Sequence, residues 1–133
     1  MNIGATGTAG EDAALARYIA KGYTLVERNY QTRFGEIDLI LRNNKCLVFV
    51  EVKTRTKASR MSGVTAMTRA KKQKIFKSAL LYLQTVRSDL QPRFDVVEIQ
   101  GHWAVFDEEE EFVCDHMTTY ENAFGSEVYD GFV

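Results

Sequence analysis

Gly35-Glu36-Ile37-Asp38-Leu39-Ile40-Leu41-Arg42, then Asn43-Asn44-Lys45, then Cys46-Leu47-Val48-Phe49-Val50-Glu51-Val52-Lys53: this stretch decides the fold. Two apolar runs flank a polar turn, the pattern of a β-hairpin. On the second run Leu47, Phe49, Glu51 and Lys53 share one face, and Cys46, Val48, Val50 and Val52 share the other. Apolar residues on both faces mark a strand covered from both sides, hence central in its sheet. Acids inside such runs need a separate reason. A two-residue turn at Asn43-Asn44 sets Glu36 opposite Glu51, with Asp38 on the diagonal. A four-residue turn from Asn43 to Cys46 sets Asp38 directly opposite Glu51. Opposed Cβ atoms lie about 5 Å apart and diagonal ones about 7–8 Å, so either register lets the two carboxylates close on one cation. A three-residue turn breaks the phase unless a bulge restores it.

Two neighbouring carboxylates repel, and burying them unpaired is costly. A bound cation relieves both problems, and all-oxygen ligation points to Mg²⁺ or Mn²⁺. Lys53, on the face of Glu51, reaches the same spot to neutralise an acid or to hold a phosphate oxygen. The alternative is a cross-strand Lys–Glu network with no metal. Glu11 has two readings. Thr8-Ala9-Gly10-Glu11 has the spacing of a capping box, with the first eight residues mobile ahead of it. Yet Glu11 also lies on the buried stripe of the helix that follows (Ala14, Leu15, Tyr18, Ile19), where it is placed to be a third ligand. Glu36 has the parity of Asp38 and is either a further ligand or a surface acid. His102 and His116 stand alone and read as structural or exposed.

Around the hairpin the elements follow from local signals. Gly22 ends the first helix, Tyr23–Tyr30 reads as a strand, and the chain turns through Thr32 to Gly35. A polar basic segment with Ser59, Ser62 and Gly63 reads as a loop. Thr68 can cap a second helix running to about Val86, with the apolar stripe Ile75, Phe76, Ala79, Leu80, Leu83 and Val86. Pro92 ends the connection and Phe94–Ile99 forms a strand. After Gly101 the chain returns as an edge strand, His102–Phe106, and the acidic run Asp107–Glu111 reads as a solvated turn. The order α-β-β-β-α-β, with room for one more strand, predicts an α/β fold: a mixed sheet with helices on both faces in three layers.

At 133 residues the chain reads as a single domain, with a core over about residues 7–106 and an acidic extension over 107–133. A hydrophobic fraction of 45% with 26% charged residues fits a soluble globular protein. The longest apolar run, Cys46–Val50, is too short to span a bilayer. No signal peptide is evident, and Cys46 and Cys114 match no zinc or redox spacing, so the expected location is the cytoplasm, with no membrane partner. The net charge of −1 hides an asymmetry. Residues 1–106 hold all 17 basic residues and 9 acidic ones, and residues 107–133 hold 9 acidic and none basic. Residues 53–77 carry Lys53, Arg55, Lys57, Arg60, Arg69, Lys71, Lys72, Lys74 and Lys77 with no acid. Four of these lysines crowd the start of the second helix, where the helix dipole disfavours cations. Such a block beside a carboxylate cluster points to a polyanion held near a cation; a solvated basic helix is the alternative.

Gly10-Glu11, Gly22-Tyr23, Arg28-Asn29-Tyr30, Gly35 to Ile40, Val48 to Arg55, Arg93-Phe94-Asp95-Val96-Val97 and Asn122-Ala123-Phe124 resemble the YraN-like bacterial proteins over roughly residues 7–124. The chain departs from that pattern in its acidic insertion before Tyr120 and its tail after Phe124. The family is similar in turn to the restriction-endonuclease-like superfamily, with its PD-(D/E)XK signature, and to archaeal Holliday-junction resolvases. Asp38 falls at the signature acid, Glu51-Val52-Lys53 at its second half, and Glu11 at the helix-borne glutamate of the resolvases; Ile37 replaces the signature proline.

The resemblance implies a restriction-endonuclease-like core and a Mg²⁺- or Mn²⁺-dependent nuclease. In that reading Asp38, Glu51, the Val52 carbonyl and Glu11 hold the metal, with Glu36 as a possible additional ligand, and Lys53 acts at the scissile phosphate. Arg55, Lys57, Lys71, Lys72, Lys74 and Lys77 grip nucleic acid, DNA above RNA, and a homodimer acting on branched or ended DNA is implied. Two rival expectations stand beside it. One is a binding module that holds nucleic acid on a nuclease-like fold without cutting. The other is an interaction protein working through the acidic tail, which as a nucleic-acid mimic would cover the basic surface.

Overall fold

In the computed structural model, which describes residues 3–56 and 67–131, the central turn closes as a four-residue loop. The Asn43 N–H donates to the Cys46 carbonyl (3.1 Å), and Asn43 Oδ1 accepts from the N–H groups of Lys45 and Cys46. Strands β2 (Gly35–Arg42) and β3 (Cys46–Arg55) therefore pair antiparallel, with Arg42 opposite Leu47 and Leu39 opposite Val50. This is the register that sets Asp38 opposite Glu51. β3 is the middle strand of a five-stranded sheet ordered β1-β2-β3-β4-β5. β1 (Thr24–Thr32) pairs antiparallel with β2, β4 (Gln91–Phe106) runs parallel to β3, and β5 (Glu109–Phe124) returns antiparallel along β4.

Helix α1 (Ile3–Ala20) covers one face of the sheet and α2 (Arg69–Thr85) the other. The fold is thus the expected α/β one, a mixed sheet between two helical layers. Under α1 lie Leu39, Leu41, Val48, Val50, Val97 and Ile99, all fully buried. Under α2 lie Ile40, Leu47, Phe49, Phe94 and Val96 with Ile75, Phe76, Ala79 and Tyr82 of the helix. Ring contacts run from Phe49 to Phe94 (5.3 Å), then from Phe94 to Phe76 (5.2 Å) and Phe124 (5.1 Å); each such pair contributes about 0.5–1.5 kcal/mol beyond its buried area. Thr68 caps α2 by accepting from the Lys71 N–H at 3.1 Å. Gly22 ends α1 at φ +94°, with Tyr23 N–H bonded to the Tyr18 carbonyl and Gly22 N–H to that of Ile19. Among the described residues no helix is long and apolar enough to cross a membrane.

Four expectations are corrected. The helix α1 begins at Ile3 rather than after Thr8, so Thr8 is a helix-interior residue and Thr8–Glu11 is no capping box. Three glycines weaken this first half of α1, and tertiary contact holds it. Trp103 Nε1 donates to Thr6 Oγ1 (3.2 Å), and the helix lies so close to β3 that a Cβ on Gly10 would stand 1.8 Å from Thr54 Oγ1. Gly101 is not a turn either: β4 runs unbroken from Gln91, with Pro92 inside its first residues, to Phe106. Gly101 marks a shift of register against β5, where an added Cβ would stand 2.4 Å from Phe112 and from the Val113 carbonyl. The acidic turn shrinks to Asp107 and Glu108, both at positive φ, and Glu109–Glu111 belong to β5. The C-terminal acidic stretch accordingly supplies an edge strand and the buried residues Phe124 and Val128 of the α2-side core. The loop expected around Ser59, Ser62 and Gly63 lies outside the described residues, as does Lys57.

Candidate functional site

The β2–β3 ladder ends at Leu39–Val50, and one residue further on Asp38 and Glu51 meet. Where the strands part, a side chain replaces the ladder bond: Asp38 Oδ2 accepts the Val52 N–H at 2.8 Å. The carboxyls of Asp38 and Glu51 also lie close enough to shift each other's protonation. Burial, then the charge of Glu51, pushes the Asp38 carboxyl up to about 8, against the Val52 N–H and with a further push from Glu11. Burial raises Glu51 as well, opposed by the ammonium groups of Lys71 and Lys53. Both shifts favour the protonated form over what a carboxyl in water would adopt.

Glu11, Glu36 and Asp38 offer oxygens that all lie within 4.8 Å of one another, so α1 and the start of β2 converge at Asp38, with Glu51 outside that group. With its capping role gone, Glu11 is held from β1 instead. Arg28 Nε donates to Glu11 Oε1 (3.3 Å) and Asn29 Nδ2 to the same oxygen (3.1 Å). Asn29 Nδ2 also donates to Glu36 Oε1 (3.0 Å), and Gln31 Nε2 donates to Glu36 Oε2. Arg28 is fixed in turn by Asp12 (2.7 Å) and the Thr8 carbonyl. Asn29 aims its amide from φ +53°, after a bulge that leaves Val26 out of the β1–β2 register, a conformation asparagine tolerates better than most residues. In the sequence, Arg28 and Asn29 carry no chemical signal beyond their place in Arg28-Asn29-Tyr30.

Of the basic residues, Lys71 reaches the acids, with Nζ 3.4 Å from Glu51 Oε1. Lys53 lies within electrostatic reach of Glu51 and beside Glu98 in the β3–β4 register. Arg55 Nε and Glu98 Oε2 are buried with no hydrogen-bond partner among the described residues. Lys72 is half-buried and Lys74 exposed on the same helix. Lys77 departs from the expected open grip: its Nζ is paired with Asp130 (2.8 Å) and lies over the Phe34 ring. Its stem is buried and its charge is already matched, so it presents less to a ligand than its place in the sequence implied. His102, expected to stand alone, pairs with Asp115 Oδ2 at 2.8 Å.

A second polar cluster is structural. Asp95, 0% exposed, accepts from Tyr18 Oη (2.7 Å), from Arg93 Nε and Nη2 (2.9 and 2.8 Å), and from the Asn122 N–H (3.0 Å). Arg93 continues to Tyr23 Oη and Glu121. This satisfied network ties α1 to β4 and β5, which explains the Arg93-Phe94-Asp95 motif without chemistry. Burial and the Asp95 charge raise the Tyr18 hydroxyl far above its ordinary range.

The class this fold and cluster define is a mixed-sheet α/β protein with a carboxylate pair on its central strands, flanked by lysines. More particularly, the chain belongs to the uncharacterised protein family UPF0102, whose model matches residues 10–99. It is 39% identical over 119 residues to a UPF0102 protein of Chlorobium phaeobacteroides, covering 89% of this chain and 92% of that one. Over 97 residues it is 46% identical to a UPF0102 protein of Desulfosudis oleivorans (71% and 78% covered). Over 95 residues it is 45% identical to one of Symbiobacterium thermophilum (71% and 80%). The matched segment holds Glu11, Asp38, Glu51 and Lys53, whereas β5 beyond Ile99 lies outside it.

Proposed function

We propose that the protein is a metal-dependent nuclease that hydrolyses phosphodiester bonds, in structured or branched DNA above other nucleic acids. One observation carries this reading: a buried carboxyl, Glu51, and a half-buried one, Asp38, meet at the end of a central hairpin with lysines on both sides. A fold device has no need of such a pair, since burying two like charges destabilises the protein unless something neutralises them.

The donor set fits a hard divalent cation. Asp38 and Glu51, the Val52 carbonyl and Glu11 would be all-oxygen ligands for Mg²⁺ or Mn²⁺, and of these Asp38 and Glu11 already converge with Glu36. Bound there, the ion supplies Lewis-acid polarisation of a phosphoryl oxygen and a lowered pKa for a coordinated water. The rest falls to the chain. Lys53, next to Glu51, stabilises negative charge on the scissile phosphate. Asn29 and Arg28 hold Glu11 and Glu36 in place. Arg55, Lys72 and Lys74, with Lys57 and Lys77, draw the backbone towards the acids. By likeness to resolvases, a homodimer presents two such sites to a branched substrate.

The test is incubation of the purified protein with Mn²⁺ and a panel of flaps, junctions and single strands. Cleavage of at least one substrate is expected, with Asp38→Ala abolishing it while keeping the circular dichroism of the wild type. Salt-sensitive binding that persists in Asp38→Ala, with no cleavage of any substrate, would favour the non-catalytic binding module instead.

A further inference from the structure

Lys71 stands in the first turn of α2, three residues past the cap Thr68, where the unpaired N–H groups of the helix oppose a cation. Its ammonium nonetheless comes within 3.4 Å of Glu51 Oε1, an oxygen that the proposed metal site requires. Glu51 is 9% exposed in its side chain and needs a counter-charge when no metal is present; Lys71, at 47%, is free to move between that carboxylate and solvent.

Resting on the metal-site reading above, we propose that Lys71 is the resident counter-ion of Glu51 and exchanges with an incoming divalent cation. Its ammonium is thereby released to a phosphate only once metal is bound. An ammonium 3.4 Å from Glu51 Oε1 and a divalent cation on the same carboxylate repel each other, and that repulsion favours displacement of the mobile one. The released lysine stays tethered to the helix end nearest the acids, beside Lys72 and Lys74, where the polyanion is expected to lie. Metal binding and backbone binding thus become coupled through one side chain, and by linkage each strengthens the other.

The test is calorimetric titration of Mn²⁺ alone, at low salt, into wild type, Lys71→Met, Lys71→Arg and Lys45→Met. Lys45 lies in the turn at the opposite end of β3 and controls for net charge. Lys71→Met should bind Mn²⁺ about threefold to fivefold more tightly, the scale of a half-exposed ion pair. Lys71→Arg and Lys45→Met should stay within about twofold of wild type. A second readout separates exchange from a purely structural pair. Metal-free Lys71→Met should melt below wild type because Glu51 loses its counter-charge, and saturating Mn²⁺ should close that gap. Unchanged or weaker Mn²⁺ binding by Lys71→Met, or equal tightening in Lys71→Arg, overturns the exchange alone. If wild type binds no Mn²⁺ that Asp38→Asn abolishes, the metal site falls and the exchange falls with it.

Discussion

A carboxyl buried beside another carboxyl holds its proton longer than water would allow, and that makes metal-free stability depend on pH in a definite direction. Asp38 is raised from its ordinary 3.8 to about 8 in the folded chain. The folded state therefore binds more protons than the unfolded one across that interval, so its contribution is complete below about pH 4 and is lost as pH rises towards 8. In chelator, the melting temperature should fall between pH 5 and pH 8, and Asp38→Asn should make that decline shallower; an unchanged slope would mean that Asp38 is not the titrating group. Mn²⁺ affinity should run the other way, rising with pH over the same interval, because both ligands must ionise. Asp95 shows the contrasting case of a buried carboxylate with a full set of donors. Tyr18→Phe removes one of them and should cost about 1.5–3 kcal/mol in urea unfolding, as for hydrogen bonds to charged groups. The meeting of Asp38 and Glu51 was legible because strand parity is a local property and only two turn lengths preserve it. Asn29 was not, because its aim depends on a positive φ and a bulge in the neighbouring strand, which no local pattern announces.

The two helices show the same division one scale up. Helix α2 was legible at its start, since Thr68 supplies a cap that needs only its own next turn; Thr68→Ala should lower stability by about 1 kcal/mol, measured by urea denaturation. The start of α1 was not, because residues 3–10 are glycine-rich and are held as helix by β3 and Trp103 rather than by propensity. Gly10 explains the composition. It lets α1 press on Thr54, and this brings Glu11 down to Asp38 and Glu36. Gly10→Ala improves local helix propensity yet should destabilise the protein by about 1–3 kcal/mol, because Thr54 is branched at Cβ and has little room to yield. It should also weaken Mn²⁺ binding, since the helix that carries Glu11 is pushed from the sheet. A stabilised Gly10→Ala protein would show that the close approach is not needed. Gly101 misled for a related reason: in sequence a glycine before a new apolar run reads as a turn, whereas here its missing side chain makes room for Phe112.

Across the whole molecule the charge asymmetry of the sequence becomes an arrangement of surfaces. The acidic C-terminal stretch does not trail away; it returns as β5 and then docks on α2 through Val128, which is buried, and Tyr129, whose ring lies 5.5 Å from Phe76. That docking carries Asp130 to Lys77 and the Glu127 carbonyl to Arg69 (3.0 Å), so two cations of the α2 ridge are already engaged by the tail. Lys71 is engaged by Glu51, which leaves Lys72 and Lys74 as the ridge most open to a polyanion. Among the described residues, the tail therefore meets the basic surface at Arg69 and Lys77. If that ridge contacts a nucleic-acid backbone, releasing Lys77 adds about one phosphate contact, and the effect belongs in the salt dependence more than in affinity at one salt concentration. Asp130→Asn should steepen the slope of log K against log salt for a DNA duplex by about one, with a gain of about twofold to threefold at low ionic strength. Lys77→Met should remove that gain from the Asp130→Asn background, and a slope identical to wild type in Asp130→Asn would place Lys77 outside the nucleic-acid path.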